Sequence, residues 1–207
     1  IRLSLVGSEM CIRDRREDRP PIYIAWDEYN TWYRARTDET TRGTRALEEK
    51  YNFEDALVIG GFLNGFIRNA DIIKMANMAQ LVNVIAPIFA EENGMYRQTI
   101  YFPLEMFSKN MHGTSLDLFV DSPTYDTEEF YIGLGETKTK QTDVPYLDVS
   151  AVYDNGEVIF CVINRHKDNP IRTDIICQSG EFDGALKISE INSPDIKAVN
   201  DLSLIHI

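Results

Sequence analysis

The feature that most constrains this 207-residue chain is a change of texture near Gly113. Before it, apolar runs flank a helical pattern. After it, short apolar runs are cut by turn residues. The first half opens on Ile22–Trp26, IYIAW, preceded by Pro20 and Pro21. A short run that is apolar on both faces fits a strand buried in a parallel sheet. It stops at Asp27 and Glu28, so two carboxylates stand at its C-terminal end. A helix is predicted from about Phe53 to Asn69. Asn52 is the candidate cap, with Asp55 three residues on to complete a capping box. Glu54 and Asp55 suit the positive end of its dipole and Arg68 the negative end. Leu57, Phe62, Phe66 and Ile67 give it an apolar face. Gly60, Gly61 and Gly65 cost helix stability and fit a face packed close to a sheet. Ile72–Ala76 reads as a second buried strand. Leu81–Ile88 fits either a strand or a buried helix, which periodicity does not separate. Pro103, comfortable in a first helical turn, predicts a helix running on to Asn110.

Beyond Gly113 the strand-like runs are SLDLFVD, VPYLDVSAVYD, EVIFCVINR, TDIICQSG and ALKISEIN. Asp154-Asn155-Gly156 is a hairpin signal between two of them. Regularly spaced short strands predict a β-sandwich. The expected class is therefore α/β followed by all-β, with the boundary near Gly113.

Charge and ligand chemistry narrow the partners. The net charge of −12 excludes a chain built to grip nucleic acid or an anionic membrane, which needs clustered Lys and Arg. A neutral ligand such as a carbohydrate fits. The stretch Arg34–Lys50 reads as a polar surface loop. Cys161 and Cys177 lie in apolar runs and are expected in the core. No CxxC occurs, and His112 and His166 stand alone, so neither a disulfide framework nor a metal site is expected.

The two ends carry a separate signal. One set of codons for Leu202–Ile207, LSLIHI, encodes Met-Cys-Ile-Arg-Asp on the opposite strand in another frame, and that string stands at Met10–Asp14. It resembles the tag used in transposon-based sequencing libraries. Residues 1–15 and 202–207 are therefore expected to be translated adapter, leaving protein from about Arg16 to Asp201.

At the end of the first strand the sequence reads WDEYNTWY, Trp26–Tyr33. Carboxylates at the C-terminal end of a buried parallel strand are where (β/α)-barrel enzymes keep their chemistry. Tyr29, Trp32 and Tyr33 could offer flat apolar faces to a sugar ring. Read from the residues alone, a solvated Glu28 and a core Trp32 fit as well.

DEYNTWY resembles the DEWNVWY block of the α-L-arabinofuranosidases of glycoside hydrolase family 51. The stretch from EDALVIGGF to LVNVIAPIF, then QTIYFPLEMFS and SPDIKAVND, are similar to the same family in order. The resemblance covers nearly all of Arg16–Asp201. It implies the C-terminal part of a (β/α)8 barrel over 16–112, then an incomplete, jelly-roll-like β-sandwich over 113–201. It implies Glu28 as the nucleophile of a retaining mechanism, Trp32 shaping the substrate cleft and Gln80 hydrogen-bonded to the bound arabinose. Asn30 and Tyr29, in the same block, are the remaining candidate substrate-binding residues. Tyr29 stands where the family usually has Trp, and Thr31 replaces an apolar residue. The implied substrates are arabinose-containing oligosaccharides or polysaccharides. No cofactor, nucleic-acid or membrane partner is expected, and the full-length protein is expected to form a homo-oligomer. The resemblance favours a cytoplasmic location and leaves a periplasmic or extracellular one open.

The family's acid/base is a Glu after Asn on the fourth barrel strand. No Asn-Glu pair occurs between Arg16 and Asp201, so this chain alone is expected to be inactive. Two alternatives stay open: a related retaining barrel glycosidase acting on another sugar, and a non-catalytic carbohydrate-binding β-sandwich.

Overall fold

The computed structural model describes residues 21–32, 48–132 and 137–202. The expected adapter segment at 1–15, residues 203–207, most of the polar stretch after Arg34, and Tyr33 lie outside the described residues. The first half is a strand–helix–strand unit. Strand β1, Ile24–Tyr29, pairs in parallel with β2, Ile73–Met78, and helix α1, Phe53–Arg68, runs between them in sequence.

Helix α1 forms where its end signals put it. The Asn52 side chain accepts from the Asp55 backbone, and the Asp55 carboxylate accepts from the Asn52 N–H at 2.8 Å, so the capping box is complete. The next two amides have no partner within the helix. The chain's last segment meets them: Phe53 N–H donates to Ala198 O at 2.9 Å and Glu54 N–H to Ile196 O at 3.0 Å. Lys197 pairs with Glu54 beside them. The helix start is thus closed by residues more than 140 positions away, a tie that local sequence signals do not carry.

One flank of α1 packs on the parallel pair. Tyr29, Tyr51, Ile59 and Ile100 form the buried centre, with Trp26, Phe62, Phe66 and Met78 against it. Full burial of an Ile such as Ile59 or Ile100 is worth roughly 1.5–3 kcal/mol. The other flank meets a three-stranded antiparallel sheet, ordered β11–β10–β5 (Glu157–Asn164, Leu147–Asp154 and Thr114–Ser115). There the glycine expectation holds for Gly60 alone. A Cβ on it would lie 3.0 Å from Ile163 Cδ1, whereas Gly61 and Gly65 face open space. The contact is tied by polar groups. Asn64, fully buried, donates to Asp148 Oδ1 at 2.8 Å and accepts from Ser150 Oγ at 2.6 Å. Arg68 donates to Asp148 Oδ1 at 2.7 Å, and Arg165 pairs with its other oxygen.

Other elements complete the chain. A hairpin joins β3, Ile88–Glu91, to β4, Gly94–Arg97, and helix α2 spans Tyr101–Asn110 as Pro103 predicted. Asn93-Gly94 signals this turn, with Gly94 at φ +146°, and was not part of the expectation. Two small ladders pair β6 (Thr124–Tyr125) with β9 (Val144–Pro145), and β7 (Phe130–Ile132) with β8 (Thr137–Thr139). The β10–β11 hairpin turns at Asn155-Gly156, both at positive φ, in the two-residue loop the sequence signalled.

Five expectations need correction. The first strand runs through Asp27 and Glu28 to Tyr29 rather than stopping before them. The runs expected as buried strands, Ile22–Trp26 and Ile72–Ala76, are not buried: Ile22, Tyr23 and Met75 are all more than half exposed, because β1 and β2 each have a single strand neighbour among the described residues. The segment 81–87 is neither strand nor helix but a folded loop, its backbone turned by positive φ at Asn83 and Ile85. Within SLDLFVD only Ser115 belongs to a strand, and neither TDIICQSG nor ALKISEIN forms one. Strand-forming composition makes a strand only against a partner edge, and β11 pairs with β10 alone. Ile176, Leu186 and Ile188 are left outside, as is Cys177, which was expected in the core.

Candidate active site

Strands β1 and β2 run the same way, so their C-terminal ends lie side by side. Glu28 is next to last in β1, and Gln80 follows β2 by two residues. Ala79 N–H donates to Tyr29 O at 3.2 Å, which joins the two strand ends directly. Glu28, Trp32 and Gln80 are all exposed at this end, Trp32 at 57%. A carboxylate, an indole and a carboxamide thus lie in exposed positions at or just beyond the same ends of the two strands. That set can supply a nucleophile or charge, a platform for a sugar's apolar face, and a donor–acceptor pair for hydroxyls.

The backbone here is irregular in a useful way. Trp26 pairs with Ala76 and Tyr29 with Met78, so β1 carries one more residue than β2 between those pairs. The extra residue falls at Asp27–Glu28. Bulges of this kind re-aim side chains and are common beside active sites. Its result is that Trp26 and Tyr29, three apart, both turn toward α1. Tyr29 is 6% exposed, with its ring 4.9 Å edge-on from Phe66 and 5.6 Å from Phe62. Burial raises the pKa of its phenol. Tyr29, a candidate substrate-binding residue, thus has its ring in the core against α1.

Asn30 is also committed. Its Nδ2 donates to Ala79 O at 2.6 Å and to Ile85 O, and its Oδ1 accepts from Thr31 N–H at 2.7 Å. The side chain holds protein backbone rather than offering itself to a ligand. Thr31 accepts at its carbonyl from the buried Tyr51 hydroxyl at 3.0 Å, while its own hydroxyl is buried without a partner.

The loop after β2 has a second support that sequence reasoning missed. Gln98, 1% exposed, accepts from Tyr51 N–H at 3.0 Å, and its Nε2 donates to Ala86 O at 2.7 Å and Glu49 O at 3.0 Å. A Gln between polar and apolar neighbours gives no local sign of such a role. Cys161, behind α1 on β11, has its thiol pushed up to about 12, mainly by burial and then by the Asp148 carboxylate, which keeps it neutral and unreactive.

A parallel strand pair with exposed carboxylates at its C-terminal end is thus joined through a helix to an antiparallel sheet. The comparisons identify the family. Residues 27–203 match the model of the alpha-L-arabinofuranosidase C-terminal domain, and the chain belongs to that family. It is 33% identical over 197 residues to the intracellular exo-alpha-(1->5)-L-arabinofuranosidase 1 of Bacillus subtilis, covering 91% of this chain and 37% of that one. It is 31% identical to the corresponding Halalkalibacterium halodurans enzyme, covering 95% and 39%. The arabinose complex of the Thermotoga maritima alpha-L-arabinofuranosidase superposes with a TM-score of 0.60 at 29% identity, over 71% of this chain and 29% of that one. A further arabinofuranosidase crystal structure gives 0.65 at 28% identity, over 80% and 33%. The chain spans between a third and two-fifths of the length of these two bacterial relatives.

Proposed function

We propose that this chain is the C-terminal part of a retaining α-L-arabinofuranosidase that releases arabinofuranosyl residues from arabinose-containing oligosaccharides or polysaccharides. The observation that carries the proposal is the placement of Glu28, Trp32 and Gln80 at or just beyond one end of the β1–β2 pair. In this reading residues 16–112 contribute the last strands of a (β/α)8 barrel, and 113–201 contribute part of a β-sandwich. The exposed apolar side chains of Ile22, Tyr23 and Met75 support it, since the rest of a barrel would cover them.

Glu28 attacks the anomeric carbon while the glycosidic C–O bond breaks, giving a covalent arabinosyl-enzyme. A second carboxyl group, about 5–5.5 Å away in retaining enzymes, protonates the leaving oxygen and then takes a proton from the attacking water. That group comes from the part of the enzyme outside this chain, which by itself does not turn over. Trp32 lines the cleft, and Gln80 hydrogen-bonds sugar hydroxyls. The test is Glu28→Ala in the full-length enzyme. Turnover should vanish, and added azide should restore product of inverted anomeric configuration by entering the space of the lost carboxylate. Retention of most activity by Glu28→Ala would remove Glu28 from the reaction.

A further inference from the structure

We infer that Asn30 is a positioning residue that sets the Gln80 loop against Glu28, and that it does not bind substrate. The inference rests on the arabinofuranosidase reading of the site. Asn30 follows Glu28 by two residues at the end of β1. Its single amide nitrogen uses both hydrogens on one loop, donating to Ala79 O at 2.6 Å and to Ile85 O. Those two carbonyls bracket Gln80: one belongs to the preceding residue, and the other accepts from the Gln80 N–H at 3.2 Å. Ile85 O thus receives both the Asn30 amide and the Gln80 backbone, which draws the loop into a closed turn. The third bond, Thr31 N–H to Asn30 Oδ1 at 2.7 Å, fixes the side-chain amide so that its nitrogen faces the loop.

Beside the Asn30 amide, the loop start is held to β1 by the backbone bond from Ala79 N–H to Tyr29 O. The Gln80 side chain itself is exposed. Its reach toward a sugar bound over Glu28 is therefore set by where this loop is held. With both amide hydrogens and one lone pair of the carbonyl oxygen engaged, Asn30 has no donor left to offer a sugar hydroxyl.

The experiment is a double-mutant cycle in the full-length enzyme, scored on kcat/KM for an aryl arabinofuranoside, with circular dichroism and a thermal melt on each variant. Asn30→Ala should lower kcat/KM by about 100-fold, the scale of loss from misplacing a contact by an ångström. In a Gln80→Ala background the same change should cost less than about 3-fold, because the group it positions is gone. A loss equal in both backgrounds would overturn the inference and make Asn30 either a direct contact or a general structural support. Where Asn30→Ala does not fold, Asn30→Asp serves. A carboxylate facing two carbonyls cannot donate, whereas the protonated acid can donate to one of them. Its activity should rise toward wild type as pH falls through the carboxyl pKa, along a limb absent from wild type. An Asn30→Asp pH profile parallel to wild type would equally refute the role. Loss of activity on Glu28→Ala separates these outcomes from failure of the arabinofuranosidase reading, which would show there first.

Discussion

Asp148 is where a substitution should tell most about how the two halves are joined. Its side chain is 6% exposed and accepts from Arg68, Arg165 and Asn64, so one carboxylate links α1 to β10 and to the residue just past β11. Removing one partner from a buried pair costs about 3–5 kcal/mol when the remaining charge stays buried. Here the orphaned guanidinium groups are 41% and 31% exposed and can turn back to water. That reduces the expected cost of Asp148→Ala to about 2–3 kcal/mol, including the weakened tie to Asn64. For a chain of this size it lowers Tm by about 4–12 °C. Arg68→Ala should cost less than about 1 kcal/mol, because the arginine is partly solvated and Asp148 keeps Arg165. Differential scanning calorimetry of both variants, with urea midpoints as a second measure, gives the comparison. Equal losses for the two variants would refute the argument that the buried carboxylate, rather than surface pairing, holds α1 to the sheet.

Gly113→Ala should destabilise by about 1–3 kcal/mol in urea melts, since φ is +98° and a Cβ would overlap the Tyr153 carbonyl and sit 2.9 Å from Asp154 Cβ. Thr31→Val should raise stability by about 1 kcal/mol, because it removes a buried hydroxyl that has no partner; an unchanged or lower Tm would contradict that. Alkylation at pH 8 followed by peptide mapping should modify Cys177 well before Cys161. The raised thiol pKa of Cys161 also carries a sign for stability. The unfolded chain ionises first, so its contribution is whole below about pH 9 and is lost between there and about pH 12. Trp32→Ala in the full-length enzyme should lower kcat/KM more for long or branched arabino-oligosaccharides than for a small aryl arabinoside, as steady-state kinetics on the two substrates would show.

What could be read from sequence, and what could not, divides along the range of the forces involved. Helix α1 was legible because its cap, Asn52 with Asp55, and its charged ends are local. The Asn155-Gly156 hairpin was legible because two adjacent residues fix the turn. Glu28 at a strand end beside a second parallel strand was likewise legible from apolar runs. The inward turn of Tyr29 was not, because a bulge decides it and a strict two-residue alternation would assign the faces differently. The form of the 79–87 loop depends on Asn30 and Gln98, which are 49 or more and 12 residues from the carbonyls they hold, so no window of sequence shows it. The runs around Ile176 and Ile188 have the composition of strands, yet composition does not supply the edge a strand needs.

The most direct test of the central claim is to trap the covalent intermediate on the full-length enzyme. A 2-fluoro arabinofuranosyl donor with a good leaving group should slow release of the sugar, and digestion with mass spectrometry then finds the labelled peptide. The account predicts one fluoropentosyl adduct, carried by Glu28 and absent from Glu28→Ala. A stoichiometric adduct on any other carboxylate would contradict it.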